Sequence, residues 1–141
     1  MNMLNHSTSI ENLFLIFEEG VIKPQPYLGG DSRLPAGEIV TFAFRGERRL
    51  SFADVVIIFP FEVEATKGSY VTYDGDEEDE WYIYQTVPLE GCKVELNKHF
   101  RLPEWGSFQY AFNSPWDRDF NAYSDENEAR LLTFYKWLKT L

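Results

Sequence analysis

The run Asp54-Val55-Val56-Ile57-Ile58-Phe59-Pro60-Phe61 limits the fold more than any other stretch of the chain. It opens on a polar residue, continues in unbroken apolar side chains and closes through a proline, the pattern of a central strand covered on both faces. Such a strand needs partners beside it and layers above and below it. The partners are legible nearby. Glu38 to Phe44 is rich in β-branched and aromatic residues and ends in the polar turn Arg45 to Arg49, and shorter strands are expected at Ser69 to Tyr73 and Trp81 to Thr86.

The layers come from two helical segments. Thr8 at N-cap with Glu11 three residues on reads as a capping box, and Ile10, Leu13, Phe14, Phe17 and Val21 follow one helical face until Gly20 supplies a left-handed stop. This predicts a helix over about 9–19, after a short first strand at Met1 to Asn5. Near the other end, Ser124-Asp125-Glu126 opens a final helix, with Asp125 and Glu128 as a second capping box. Its apolar stripe, Ala129, Leu132, Tyr135 and Leu138 widened by Phe134, Trp137 and Leu141, suits either packing across the sheet or docking a partner. Between Leu96 and that helix the aromatics Phe100, Trp105, Phe108, Tyr110, Phe112, Trp116, Phe120 and Tyr123 are interrupted by Pro103, Gly106 and Pro115. This region reads as strand and loop, with a turn at Asn113-Ser114-Pro115.

The expectation is one α+β domain over residues 1–141, with a mixed or mainly antiparallel sheet, an early helix and a C-terminal helix closing an aromatic-rich extension at 97–141. Lys23 to Gly37 holds Pro24, Pro26, Gly29, Gly30, Pro35 and Gly37, and is expected to be a long loop at the edge of a pocket. Tyr27 and Arg33 are its side chains suited to ligand contact.

A formal net charge of -10 argues against general attraction to nucleic-acid backbones, which depends on Lys and Arg neutralising phosphates. Arg45, Arg48 and Arg49, and Lys98, His99 and Arg101, form two small basic clusters that read as solvated turns. No apolar run approaches the length of a bilayer span and no export segment is recognisable, so a cytoplasmic location without membrane contact is expected. Cys92 is the single cysteine, read as an inert buried thiol. The acidic run Asp74 to Asp79 reads as a hairpin turn. It lacks the residue order of a calcium loop, so no metal is expected.

Two separated stretches carry a resemblance. His6-Ser7-Thr8, Asn12-Leu13, Ile16 and Glu19-Gly20-Val21-Ile22 resemble the opening of the ADP-ribosyltransferases of the DNA-modifying DarT type and their wider relatives. The later run Asp79-Glu80-Trp81-Tyr82-Ile83-Tyr84-Gln85-Thr86-Val87-Pro88-Leu89 is similar to the second signature of that family, in which a catalytic Glu opens a strand. The resemblance spans about residues 4 to 96. It implies NAD as substrate, His6 and Thr8 as nucleotide-binding residues with Asn12 as a secondary one, and Glu80 as the catalytic carboxylate, with Glu77 and Glu78 as its rivals in register. It also implies an aromatic against nicotinamide, with Tyr27, Tyr70 and Tyr73 all open, and an assisting arginine, for which Arg33, Arg45 and Arg48 are candidates. The segment between the two signatures is shorter than the family's.

The implied chemistry explains the pairing of a His with a Glu. Breaking the bond between nicotinamide and ribose builds positive charge on the sugar, as glycoside hydrolysis does, and a nearby carboxylate stabilises it. The expected function is therefore a small NAD-dependent mono-ADP-ribosyltransferase-like protein whose macromolecular acceptor is not identified. The alternative from another class is a non-catalytic acidic binding or inhibitor protein, a toxin antagonist or phage-type factor, that sets the turn Asp74 to Glu80 against a basic protein partner. A third reading holds NAD or ADP-ribose without turnover. The position of Glu80, in a cleft or in bulk solvent, separates them.

Overall fold

The computed structural model describes residues 3–60, 62–113 and 119–141. In chain order the elements are β1 (Leu4–Thr8), α1 (Ile10–Glu19), β2 (Val21–Ile22), β3 (Gln25–Pro26), β4 (Ile39–Arg45), β5 (Val55–Ile58), β6 (Thr66–Val71), β7 (Glu77–Ile83), β8 (Val87–Pro88), β9 (Lys93–Leu96), α2 (Trp105–Phe112) and α3 (Asp125–Leu138). The fold is α+β. Seven strands form one sheet in the order β6-β7-β4-β1-β5-β9, with β3 also on β4, while β2 and β8 make a separate two-stranded ribbon. Every strand pair described is antiparallel.

The apolar run becomes β5, between β1 and β9, and Val55, Val56 and Ile57 have no exposed surface. Side chains alternate across a strand, so Val55 and Ile57 face one side and Val56 the other. Val55 and Ile57 join the main core. On Val56's side the loop after β4 folds back over the sheet, where the Leu50 N–H donates to Ser7 Oγ (3.1 Å) and Asn97 Nδ2 donates to the Leu50 and Ala53 carbonyls (3.0 and 2.8 Å). Both faces are thus covered, one by helices and one by a loop. The strand ends at Ile58, before Pro60; Phe61 lies outside the described residues, as do Met1, Asn2 and the segment 114–118 that includes Pro115 and Trp116.

The helical layer rests on aromatic rings from both ends of the chain. Phe14 of α1 meets Phe112 of α2 edge-on at 5.6 Å, Phe120 at 5.6 Å and Phe134 of α3 at 5.1 Å between ring centroids. Phe17 stacks against Phe134 and Trp137, and Tyr135 anchors α3 by donating its hydroxyl to the Pro103 carbonyl at 2.7 Å. Outside this cluster Arg130 reaches Glu18 with two hydrogen bonds, tying α3 to α1. The aromatic region after Leu96 is therefore not strand and loop. Its middle is α2, whose Phe108 and Phe112 are one turn apart on a buried face despite Gly106 in the first turn. Leu131, Phe134, Tyr135 and Leu138 of α3 are all buried in the same way, so the face packed inside the fold is shifted from the expected stripe: Ala129 and Leu141 are exposed and Leu131 is buried where Leu132 was expected.

Local boundaries differ from the sequence expectation for identifiable reasons. Ser9, not Thr8, caps α1, its hydroxyl accepting the Asn12 N–H at 3.2 Å, and Asp54 Oδ2 takes the Ile10 N–H at 2.9 Å. That displaces the Thr8–Glu11 capping box and leaves Thr8 as the last residue of β1. Ser124 caps α3 in place of Asp125. Gly20 ends α1 at φ 76° as expected. Strand β6 starts at Thr66 and β7 at Glu77, because the hairpin turns tightly at Thr72 to Asp76, where the Thr72 N–H donates to the Asp76 carbonyl and Gly75 holds φ 86°. Glu80 consequently sits inside β7 and does not open a strand. Among the described residues no helix is long and apolar enough to cross a membrane.

Phe14, 1 % exposed, is the ring shared by all three helices. Removing it, as Phe14→Ala, is expected to cost about 3–5 kcal/mol, a large part of the roughly 5–15 kcal/mol that holds a domain folded. Urea denaturation checks this: the midpoint should fall steeply, and a shift equivalent to less than about 1 kcal/mol would show that the layer does not depend on this ring.

Candidate active site

The sheet opens between β1 and β4. Their pairing runs from Leu4 opposite Arg45 to Asn5 opposite Phe44 and goes no further, whereas β1 stays paired to β5 through Thr8 opposite Val55. At the point of parting, His6 Nδ1 lies 2.8 Å from the Phe42 carbonyl oxygen. A carbonyl only accepts, so Nδ1 carries the proton and Nε2 is left as an acceptor in the neutral ring. Burial keeps the ring neutral, pushing its pKa below the usual 6.5 against the smaller opposing effect of the Phe42 carbonyl.

Two adjoining cavities occupy the opening. One, of about 520 Å³, is lined among others by His6, Thr8, Asn12, Tyr27, Phe52 and Asp54. The other, of about 420 Å³, is lined among others by His6, Ser32, Phe44, Tyr70 and Glu80. They share His6, Ser7, Tyr27, Gly29, Phe42 and Leu50 as a common wall. Each falls in the size range of small-molecule sites, roughly 300–1,000 Å³. Thr8 is 8 % exposed beside His6, and Asn12 stands exposed at the rim on the first turn of α1. The Tyr27 ring packs edge-on against Phe42 at 5.0 Å, and its hydroxyl accepts the Ser32 N–H at 3.0 Å. Tyr70 also borders the second cavity, while Tyr73 is fully exposed at the hairpin tip.

Burial separates the carboxylates of this run. Glu77 and Asp79 are exposed, Glu78 is half-buried and Glu80 is 5 % exposed. Three of these acids have cations: Glu77 pairs with Arg33 at 3.3 Å, Glu78 with Arg48 at 2.7 Å and Asp79 with Lys67 at 3.4 Å. Glu80 instead accepts a hydrogen bond from the Ser32 hydroxyl. Burial raises its pKa above the usual 4.5, opposed by the nearby Ser32 and Tyr82 hydroxyls and by the charge of Arg48. Gly68 lies directly opposite Glu80, and the Tyr82 ring covers it so closely that a Cβ there would sit 2.2 Å from ring carbons. Tyr82 then donates to the Ser69 carbonyl at 3.1 Å.

None of the three arginines lines this cavity, but Arg48 packs on two residues that do, Phe44 and Tyr70. Its guanidinium bonds Glu78 and the Tyr70 hydroxyl and lies 5.1 Å over the Phe44 and Tyr70 rings. Arg45 turns away, pairing with Glu62 at 3.3 Å and covering Trp81, and Arg33 holds the exposed Glu77. Cys92 is half-buried with its thiol pKa raised by desolvation, and its Sγ is 3.4 Å from the Pro88 carbonyl. Sequence reasoning missed Ser32, Phe42, Leu50 and Tyr82. Phe42 and Tyr82 were reachable, because their positions alternate with core-facing Ala43 and Ile83 and so face the cleft. Ser32 gave no signal in its loop. No family model, no curated protein and no solved structure matches the chain.

Because the folded state resists protonating His6 while the unfolded chain protonates it near 6.5, the unfolded state binds more protons as pH falls below that value. Stability from this group is complete above about 6.5 and declines as pH drops toward the lowered folded pKa. Urea denaturation of wild type and His6→Gln across this range should show their difference narrowing as pH falls. A constant difference would mean that His6 titrates alike in both states.

Proposed function

We propose that the chain is a small mono-ADP-ribosyltransferase that uses NAD, with Glu80 as its catalytic carboxylate. The observation that carries this reading is the one buried acid of the acidic run, facing a cavity that shares the neutral His6 imidazole with a second cavity. The His-x-Thr and Glu signatures, with His6 and Glu80 74 positions apart in sequence, border adjoining cavities that share His6.

The residues divide the work by their chemistry. His6 presents Nε2 as an acceptor, suited to a ribose hydroxyl, and Thr8 stands next to it. Tyr27 and Phe42 form an apolar wall between the cavities against which a flat ring can rest. Glu80 faces the positive charge that develops on ribose as nicotinamide leaves, and in a site shielded from water that stabilisation is stronger than in bulk solvent. Its raised pKa also makes it a better proton acceptor for an incoming hydroxyl than an exposed Glu. NAD is anionic, and Arg48, bonded to the Tyr70 hydroxyl on the wall of the cavity holding Glu80, is a cation beside it. The binder alternative needed Glu80 in an exposed acidic surface, and its burial removes it from that surface, leaving Asp74, Asp76, Glu77 and Asp79 there.

Titration with NAD and measurement of nicotinamide release test the reading. Wild type should bind and turn over. Glu80→Gln, of the same shape, should bind NAD yet release nicotinamide at least about 100-fold more slowly, the lower range for losing a general base. His6→Gln should weaken binding by about tenfold, the equivalent of one hydrogen bond of about 1.4 kcal/mol. Failure of the folded wild-type chain to bind NAD would remove the proposal.

A further inference from the structure

The hydroxyl against Glu80 belongs to the chain itself. Ser32 lies in the loop between β3 and β4, half-buried, and its Oγ donates to Glu80 Oε1. The loop around it is fixed independently of that contact. The Ser32 N–H donates to the Tyr27 hydroxyl, Ser32 bridges to Tyr70, the Arg33 N–H donates to the Ser69 carbonyl (3.0 Å), and the Val71 N–H donates to the Asp31 carbonyl (2.8 Å). Those bonds add residues 31–33 to the free edge of β6 and aim the Ser32 side chain into the cavity. The other hydroxyls of the cavity accept from nitrogen donors and none bonds Glu80: Ser7 Oγ accepts the Leu50 N–H, Tyr27 the Ser32 N–H and Tyr70 the Arg48 guanidinium.

We propose that Ser32 is a modification site, an acceptor built into the chain, onto which the protein transfers one ADP-ribose in cis. This rests on the transferase reading above. Glu80 has a second oxygen free to accept from a ribose hydroxyl while the first holds Ser32, since an ionised carboxylate offers about four lone-pair sites. In the transfer, the bond between the anomeric carbon and the nicotinamide nitrogen breaks and its electron pair leaves with neutral nicotinamide. The Ser32 Oγ lone pair forms the new bond to the anomeric carbon, and the Oγ proton passes to Glu80 and then to water. No oxidant or further reactant is required. Pre-aligned, the pair gains the rate advantage of an intramolecular reaction.

The experiment incubates the full chain with NAD, follows nicotinamide release and intact mass together, and maps any adduct by peptide fragmentation. The expected result is a gain of one ADP-ribose on Ser32, with a first-order rate constant unchanged on dilution. The linkage should resist neutral hydroxylamine, as a glycosidic bond does and an ester to a carboxylate does not. Ser32→Ala should lose the adduct and Ser32→Thr should retain it. Nicotinamide release with no adduct, or with an adduct that Ser32→Ala leaves undiminished, overturns the cis-acceptor proposal and spares the transferase. Absence of both nicotinamide release and NAD binding overturns the transferase reading and this proposal with it.

Discussion

The bond from His6 to the Phe42 carbonyl is the constraint on which the cleft depends. A backbone carbonyl inside a sheet must find a donor, and where two neighbouring strands part it has lost the obvious one. Here a side chain supplies it. Asn5 does something related one residue earlier, its Nδ2 donating to the Gly46 carbonyl at 3.1 Å, while its buried Oδ1 has no partner among the described residues. Two consecutive polar side chains of β1 thus bond carbonyls of the strand and turn beside it, and past them β1 follows β5 alone. The apolar strand β5 makes this affordable, because its burial on both faces holds β1 from the other side.

The far wall of the cleft is organised by charge. Four successive acids in one strand repel each other, and like charges on neighbouring positions destabilise a sheet. Three of the four have a cation from a different element: Arg33 from the loop, Arg48 from the turn after β4 and Lys67 from β6. These exposed or half-exposed pairs contribute little stability individually. Their effect is selective. They pair the three acids that precede Glu80 and leave Glu80 to the Ser32 hydroxyl in a drier setting, which is how one carboxylate out of four comes to differ from its neighbours.

Most of the architecture was readable where one physical signal dominated. The β5 run, the Gly20 stop and the two helices near the ends followed from periodicity and capping chemistry. The errors lay where two residues offered the same chemistry side by side. Thr8 and Ser9 both make good caps, and only the Asp54 carboxylate, brought in from β5, decides for Ser9. The aromatic region containing α2 resisted reading because Pro103 and Gly106 argue locally against a helix, while the packing of Phe112 on Phe14 and of Phe108 on Phe134 and Tyr135 overrides them. Within the site, His6, Thr8 and Glu80 could be named from their motifs, but the register among Glu77 to Glu80 depends on where the hairpin turns. Ser32 depends on a loop docking against β6, which no local pattern encodes.

On the proposed reading, an acidic chain takes an anionic dinucleotide against its own charge. With a net charge of -10, the long-range field opposes such a ligand, and screening weakens that opposition only beyond about 10 Å at ordinary salt. Inside that distance the local arrangement decides. Burial shifts the two titratable groups of the cleft in opposite directions, His6 downward and Glu80 upward in pKa. The acids beside Glu80 are paired, and Arg48 bonds the Tyr70 hydroxyl on the cavity wall. Binding on the proposed reading therefore depends on hydrogen bonds and ring contacts within the cleft, with the Glu80 carboxylate kept for the sugar, and not on the electrostatic attraction that a basic nucleotide-binding surface provides.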